Sequence, residues 1–349
     1  MTYSSMLIHE SHRKSSMWSK FRCKNSWIVL FLINAFVIQS ILYYKEICKW
    51  DEIKQEIDII MGNERITHTL AHSVLKRLHR IITGVDKDKL NLDENSGVIY
   101  AITPTFVRPV QKAELTRLSQ TFMHIPNFHW IVVEDAPLET PLVTKLLADS
   151  DLTYTQLAAQ TPKNYKLGRT DPNWKKPRGV EQRNAALRWI RDNLKTSDKG
   201  VVFFADDDNT YSIKLFNEML KVKKVGVWPV GLVGGLMVEK PICDNATNKV
   251  LGFNSVWKPD RPFPVDMAGF AIGLNLLLEN RDAWFSYEVQ GGYQESAILQ
   301  QLITKDQLEP LADCCTKVYV WHTRTEPPLL NAEQMLIKKG KRSNAGIEV

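Results

Sequence analysis

Between Val201 and Ser212 an apolar, β-branched and aromatic run, Val-Val-Phe-Phe-Ala, ends in three consecutive carboxylates, Asp206, Asp207 and Asp208, followed by Asn-Thr-Tyr-Ser. A strand buried on both faces reads as a continuous apolar run, and the C-terminal ends of strands are where open α/β sheets place ligands. Hard oxygen ligands at such an end suit Mg²⁺ or Mn²⁺, which bridge the oxygens of a diphosphate. Capping of a helix that begins near Ser212 by Asp208 or Asn209 accounts for one acid and not for three. The run alone leaves nucleotide-sugar transferases, nucleotidyltransferases and some phosphatases open.

A second constraint lies upstream. Trp27 to Tyr44 is free of charge and close to the length that crosses a bilayer. Arg13, Lys14, Lys20, Arg22 and Lys24 precede it, and acids are mixed in after it, so the positive-inside bias predicts a cytosolic N-terminus and a lumenal remainder. The run exceeds a signal-peptide core, lacks a small-residue cleavage site and is bracketed by aromatic residues, which favours an anchor over a leader. The predicted organisation is a cytosolic tail at 1–26, an anchor at 27–44, a stem at 45–97 and a lumenal catalytic domain at 98–349. That domain divides into a nucleotide-sugar half at 98–208 and an acceptor half at 209–349.

This placement changes how charge is read. The chain carries +6, of which the tail holds five basic residues and Glu10, leaving +2 from Trp27 onward. No concentrated basic face of the kind nucleic-acid binding needs is present, and Lys338 to Arg342 reads as a solvated tail. Five cysteines do not make a disulfide scaffold, so the core comes from packing. Cys23 is a cytosolic thiol open to palmitoylation. Cys243 has Cys314 and Cys315 as alternative bridging partners. The sequon Asn245-Ala-Thr247 lies in a polar stretch and predicts a glycosylated loop.

In the stem, Ile53, Ile57, Ile60, Glu64, Thr67, Ala71, Val74, Leu78 and Ile81 follow a 4-3 spacing, which predicts a coiled-coil seam or an amphipathic stem helix. Parallel pairing of two such helices would bring Cys48 against its twin in an oxidising space, a candidate interchain disulfide in a homodimer. His68 and His72 read as a solvated pair. After a polar linker at 84–97, strands and helices alternate: a strand from Val98 closed by Pro104, a helix at Gln111 to Phe122, a strand at Phe128 to Asp135, and a helix at Val180 to Leu194. The aspartate-bearing strand and a helix through Leu220 follow, which favours a mostly parallel sheet. The segments 226–235, 262–269 and 290–295 read as turn-rich and suited to acceptor binding.

Taken together, Pro104-Thr105-Phe106, Val133-Glu-Asp135-Ala, Pro177-Arg-Gly-Val-Glu-Gln-Arg183-Asn184, Phe204 to Ser212, Trp228-Pro-Val-Gly, Asp266-Met-Ala-Gly-Phe270 and Val320-Trp-His322-Thr-Arg324 resemble the β-1,3-glucuronosyltransferases. Those are inverting enzymes that move glucuronic acid from UDP-glucuronic acid to a terminal galactose. The resemblance runs from about Val98 to Val349. It implies an α/β glycosyltransferase-A (Rossmann-like) fold, dependence on Mn²⁺, residence in the Golgi membrane as a single-pass type II protein, and a galactose-terminated glycan on a proteoglycan core or glycoprotein as acceptor. Gly252 to Phe270 resembles the member that completes the proteoglycan linkage tetrasaccharide. Gly291 to Glu295 is more similar to the members that build a sulfated glycoprotein epitope, so both acceptors stand.

The same resemblance implies roles. Asp135 would hold uracil with Thr105 and Phe106, the latter standing where many relatives have Tyr. Arg178, Arg183, Asp206, Asp207, His322 and Arg324 would bind the rest of the donor, with Asp207 at the ribose or the metal. Asp208 would ligate Mn²⁺, Glu295 would be the general base, and Glu239, Arg261 and Asp266 would bind the acceptor galactose. Gly291 replaces an arginine found in some relatives. Competing readings are a transferase of another UDP-sugar or galactose-ended acceptor, and an inert lumenal glycan-binding protein; the triple aspartate, Glu295 and His322 together argue against inertness.

Overall fold

The computed structural model of the chain describes residues 97–168, 171 and 175–349. The tail, the Trp27–Tyr44 anchor, the 4-3 seam, Cys23, Cys48 and the His68/His72 pair lie outside the described residues. Among the described residues no helix is long and apolar enough to cross a membrane.

The first half alternates strictly. Strand β1 (Val98–Thr105) leads to α1 (Gln111–Phe122), β2 (Phe128–Glu134), α2 (Pro141–Ala148), β3 (Thr153–Ala158), α3 (Val180–Asn193) and β4 (Gly200–Phe204). The four strands pair in parallel in the order β3-β2-β1-β4. Period-two alternation decides the layers: Ile99 and Ala101 pack on one face, Tyr100 and Ile102 on the other, and all four are buried. Burial on both faces is why β1, β2 and β4 are largely apolar, whereas the edge strand β3 is only partly buried. The strand expected to close at Pro104 runs through it to Thr105, with Pro104 opposite Val133. The β1–β4 ladder ends at Ile102–Phe204, so on that side Pro104 has no strand to which an N–H could donate.

Beyond β4 come β5 (Thr210–Tyr211), α4 (Ile213–Met219), β6 (Val225–Val227), β7 (Val230–Val233), β8 (Leu236–Asp244), β9 (Lys249–Asn254), β10 (Phe270–Gly273), α5 (Leu274–Glu279), α6 (Gln294–Gln300), β11 (Leu308–Pro310), β12 (Val320–Trp321) and α7 (Asn331–Lys338). The main sheet has seven strands, β11-β6-β10-β4-β1-β2-β3, so three strands that follow residue 208 complete the sheet that carries the first half. Only β10 runs antiparallel in it. A second sheet orders β5-β12-β7-β8-β9.

The stretch 226–235, expected to be turns, instead supplies the end of β6 and all of β7. Its glycines mark close packing rather than bends: a Cβ on Gly226 would lie 2.4 Å from Val222 Cγ2, and one on Gly231 2.5 Å from Trp321 Cδ1. Only Gly234 and Gly235, both at positive φ, form the two-residue turn between β7 and β8. Helix α6 starts at Gln294, so Glu295 lies in its first turn.

After β11 the backbone takes four consecutive left-handed residues, Ala312, Asp313, Cys314 and Cys315, with φ of 54°, 57°, 49° and 57°. Each costs roughly 1–2 kcal/mol for a residue with a Cβ. The turn is held from outside. Cys314 is bridged to Cys243 on β8, 71 residues away; Ala312 N donates to Glu218 Oε2 at 3.0 Å; and the free Cys315 thiol is buried. Of the two partners open to Cys243, the bridge therefore takes Cys314. Cutting a loop of this length out of the unfolded ensemble is worth about 4 kcal/mol in the chain-entropy model. Cys243→Ser is expected to lower unfolding free energy by roughly 2–5 kcal/mol in reversible denaturation, and alkylation before and after unfolding should find Cys315 protected in the native protein.

Candidate active site

The C-terminal edge of the parallel strands delivers most of the expected residues. Thr105 and Phe106 close β1, Asp135 follows β2, and Asp206, Asp207 and Asp208 follow β4. Because β10 is antiparallel, with Ala271 opposite Phe203, its beginning rather than its end meets this edge. The segment before it therefore brings Arg261 and Asp266 to the same place.

The three aspartates part ways at once. Asp206 Oδ1 accepts from Arg183 Nη2 at 2.8 Å, and Arg183 Nη1 donates to Arg178 O at 2.9 Å. Arg183 stands in the first turn of α3 and needs Gly179 behind it: the left-handed φ of 72° suits glycine, and a Cβ there would lie 2.6 Å from Arg183 Nη1. Asp207 is committed to the end of β1 and the loop after it. Its Oδ2 accepts from Thr105 Oγ1 at 2.7 Å and pairs with Arg108 at 2.7 Å. Burial pushes its carboxyl up to about 6 against the pull of Arg108. Arg108, which sequence reasoning missed, also pairs with Glu114 and lies over the exposed Phe106 ring at 4.5 Å. Its place two residues after Phe106, facing the first turn of α1, is the signal that marks it. Asp208 has no hydrogen-bond or ion-pair partner for its carboxylate among the described residues; only its backbone carbonyl is engaged, by Thr323 Oγ1 at 2.7 Å. Burial and the neighbouring Asp206 raise its pKa, partly offset by His322.

Asp135 Oδ1 accepts from Thr161 N at 2.7 Å, with Lys166 Nζ at 3.9 Å. Arg178 and Arg324 are exposed. His322 follows β12, where its N–H donates to Gly231 O, and with Arg324 it lines an open cleft of about 470 Å³ whose other wall is Leu232 to Gly235. Asp266 Oδ2 lies 3.1 Å from His322 Nδ1, and Asp266 also accepts from Ala268 N at 3.0 Å. The close Asp266 carboxylate raises His322 to about 9, so the imidazole is a cation at neutral pH. Burial opposes ionisation of Asp266, but the neighbouring His322 outweighs that and keeps the carboxyl below its usual range.

The acceptor-side residues form one buried chain. Arg261 lies 3.8 Å from Glu239 and 3.8 Å from Glu295, and its guanidinium also donates to Gly292 O at 3.2 Å. Glu239, its pKa raised by burial, accepts from Ser255 Oγ at 2.7 Å. Glu295, second residue of α6, keeps Oε2 buried and without a hydrogen bond. Burial, then the charge of Asp266, pushes its carboxyl up to about 7, against Arg261 and Arg183. That is a value suited to taking a proton near neutrality. Asn245 of the sequon is exposed in the turn between β8 and β9.

Among the described residues no three metal-ligating side chains cluster. A hard cation that keeps waters and substrate phosphates as its other ligands needs only one or two carboxylates. The uncommitted Asp208 at the strand edge fits that pattern, and Asp206, bound to Arg183, lies beside it.

A mostly parallel sheet with carboxylates and guanidinium groups at its C-terminal edge, and a buried acid beside Arg261, fits a sugar-nucleotide-dependent glycosyltransferase. The chain belongs to glycosyltransferase family 43, whose model matches residues 118–326. It is 58% identical over 255 residues to galactosylgalactosylxylosylprotein 3-beta-glucuronosyltransferase I of Drosophila melanogaster, covering 72% of this chain and 83% of that one. Identity is 51% over 269 residues to galactosylgalactosylxylosylprotein 3-beta-glucuronosyltransferase sqv-8 of Caenorhabditis elegans, 75% of each chain. To galactosylgalactosylxylosylprotein 3-beta-glucuronosyltransferase 1 of Homo sapiens it is 54% over 235 residues, 66% of this chain and 70% of that one. Among solved structures, S. aureus TarS overlays 65% of this chain and 60% of its own, with a TM-score of 0.43 at 16% identity, too distant to bear on function.

The His322–Asp266 pair makes a pH prediction. A base raised from 6.5 to about 9 contributes stability that is complete below its unfolded value and is lost as pH rises through 9. Glu295, raised to about 7, titrates below that range. The urea midpoint of the wild type is expected to fall between about pH 7.5 and 9, and His322→Gln to flatten that fall.

Proposed function

We infer that the chain is an inverting β-1,3-glucuronosyltransferase, moving glucuronic acid from UDP-glucuronic acid to the 3-hydroxyl of a terminal galactose. The observations that carry the chemistry are two carboxylates without a hydrogen bond: Asp208 at the strand edge, and Glu295, whose buried oxygen has Arg261 no nearer than 3.8 Å. The names of the relatives support the donor and a galactosylgalactosylxylosyl-protein acceptor.

In this reading Asp135, with one oxygen fixed by Thr161 N, offers the other to the uracil edge, and Phe106 presents its face to the ring. Arg183 orients Asp206 toward the ribose or donor sugar, and Thr105 and Arg108 fix Asp207 beside them. Arg178 and Arg324, exposed and planar, suit phosphate and the glucuronate carboxylate. His322, held cationic by Asp266, adds positive charge on the diphosphate side. Asp208 would hold Mn²⁺, which when bound neutralises charge developing on the leaving UDP. Glu239, Arg261 and Asp266 face the acceptor hydroxyls, and Glu295 takes the proton from the attacking hydroxyl. One displacement inverts the anomeric centre and needs no covalent intermediate.

Release of UDP from UDP-glucuronic acid with a galactosyl-galactose acceptor, compared across other nucleotide sugars, tests the reading. Asp208→Asn is expected to abolish transfer at ordinary Mn²⁺. Glu295→Gln should keep UDP affinity and lose on the order of 10²–10⁴ in kcat, together with the wild-type decline of kcat as pH drops through about 7. Near-normal turnover of Asp208→Asn under chelation would exclude the metal role, and loss of UDP affinity in Glu295→Gln would exclude the base.

The Trp27–Tyr44 run supports a type II Golgi membrane enzyme with a lumenal catalytic domain, and the stem seam supports a parallel homodimer. Non-reducing electrophoresis of alkylated full-length protein is expected to give a dimer band that Cys48→Ser removes. A monomer band in both would exclude the interchain bridge.

A further inference from the structure

The segment between α5 and α6, residues 280–293, has no regular strand or α-helix, yet it leads directly to Glu295. Its placement depends on side chains that bind its backbone. Helix α3 supplies two of them, Arg191 and Asn184, and Gln301, Lys258 and Arg261 hold Trp284, Gly291 and Gly292. Arg191 donates to the carbonyls of Asn280 at 3.2 Å and Ala283 at 2.7 Å, with its guanidinium over Trp284 at 4.0 Å. Two turns earlier on the same face, Asn184 reads both backbone groups of one residue: Nδ2 donates to Phe285 O at 2.9 Å, and Oδ1 accepts from Phe285 N at 3.0 Å. That is the pairing a neighbouring strand would provide.

Phe285 connects the two sides of the site. Its buried ring lies edge-on to Phe204 at 5.1 Å, two residues before Asp206, and 5.7 Å from the Arg183 guanidinium that holds Asp206. The next residue, Ser286, accepts at its carbonyl from Gln294 Nε2 at 2.6 Å, and the buried Gln294 immediately precedes Glu295. Arg183 and Asn184 are adjacent on α3, as are Gln294 and Glu295 on α6, so two short side-chain bridges span donor grip and acid.

We propose that Asn184 and Gln294 are positioning residues that set Glu295 relative to the Arg183–Asp206 pair, with Phe285 and Ser286 as the shared pivot. The inference rests on Glu295 being the base. A base displaced by about an ångström from its productive geometry loses on the order of 10²-fold in rate. Arg191 and Gln301 pin the far end of the segment, and Lys258 and Arg261 hold the carbonyls of Gly291 and Gly292 at the near end, so loss of Asn184 frees Phe285 and Ser286 between them while leaving α3 anchored.

The test uses full-length enzyme solubilised from membranes, assayed with UDP-glucuronic acid, Mn²⁺ and a galactosyl-galactose acceptor. Asn184→Ala and Gln294→Ala are each expected to lower kcat by at least about tenfold, with KM for UDP-glucuronic acid and calorimetric UDP affinity within about threefold. The double variant should be no slower than the slower single, because both bridges serve one pivot. The acidic limb of kcat should move to lower pH in Asn184→Ala: the loosened Glu295 gains water while Arg261, Asp266 and Arg183, the charged groups that face it, are retained. Asn193→Ala, at the other end of α3 and bonded only to its own Trp189 carbonyl, is the control and should match the wild type. A wild type that transfers beside an Asn184→Ala of unchanged kcat overturns the inference alone, as does a parallel loss of UDP affinity and kcat. A wild type without glucuronosyl transfer overturns the functional reading, and this inference with it.

Discussion

One strand reversed among parallel neighbours is the constraint on which the site depends. In a parallel sheet every strand ends at the same edge, and the chain just past each end supplies the groups that meet a ligand. That rule accounts for Thr105, Asp135 and the aspartate run. It cannot supply residues that precede a strand. Strand β10, paired antiparallel to both β4 and β6, breaks the rule at one position and so places Asp266 and Arg261 where the other strands place their ends. The two lobes of chemistry share one edge because of that reversal.

Charge at this edge is balanced loosely rather than neutralised pair by pair. Arg261 approaches both Glu239 and Glu295 at 3.8 Å, beyond ordinary hydrogen-bond reach, and spends its donors largely on backbone carbonyls. A close bidentate bond to Glu295 would favour the ionised form and hold its pKa low. The longer approach lets burial dominate and leaves an acid poised near neutrality. His322 shows the opposite arrangement: a close carboxylate partner outweighs burial, and the ring stays charged. Both groups are thus driven toward their protonated forms for different reasons: burial, then the charge of Asp266, favours the neutral acid at Glu295, and the close Asp266 favours the cation at His322.

Much of this was legible in the sequence. Strands β1 and β2, the bounds of α1, helix α3 and the strand carrying Asp206 to Asp208 followed from apolar runs and their punctuation, but α2 and β3 did not. The roles of His322 and Glu295 rested on motif resemblance, since neither residue type nor spacing singles them out. Misreadings had local causes. Pro104 signals a strand end, but no ladder partner is needed at its nitrogen. The glycines at 226 and 231 signal turns, but they stand where Val222 and Trp321 leave no room for a Cβ. Asn184 was invisible as a site residue because its role depends on Phe285, 101 residues away, and nothing local records that pairing; Arg108 offered only its place two residues after Phe106.

The main sheet also has a consequence for the order in which the chain is made. Its outermost strand is Leu308–Pro310, the bridge from Cys243 closes only with Cys314, and His322 arrives on Val320–Trp321. As the ribosome delivers the polypeptide from the N-terminus, the four parallel strands emerge first and have nothing to cover β4 on its far side until β10 appears. No growing fragment that stops short of about residue 322 contains both walls of the cleft. The edge is therefore finished only once β12 has been made, and a premature stop before Val320 would leave a nucleotide-shaped half with no cationic wall opposite it.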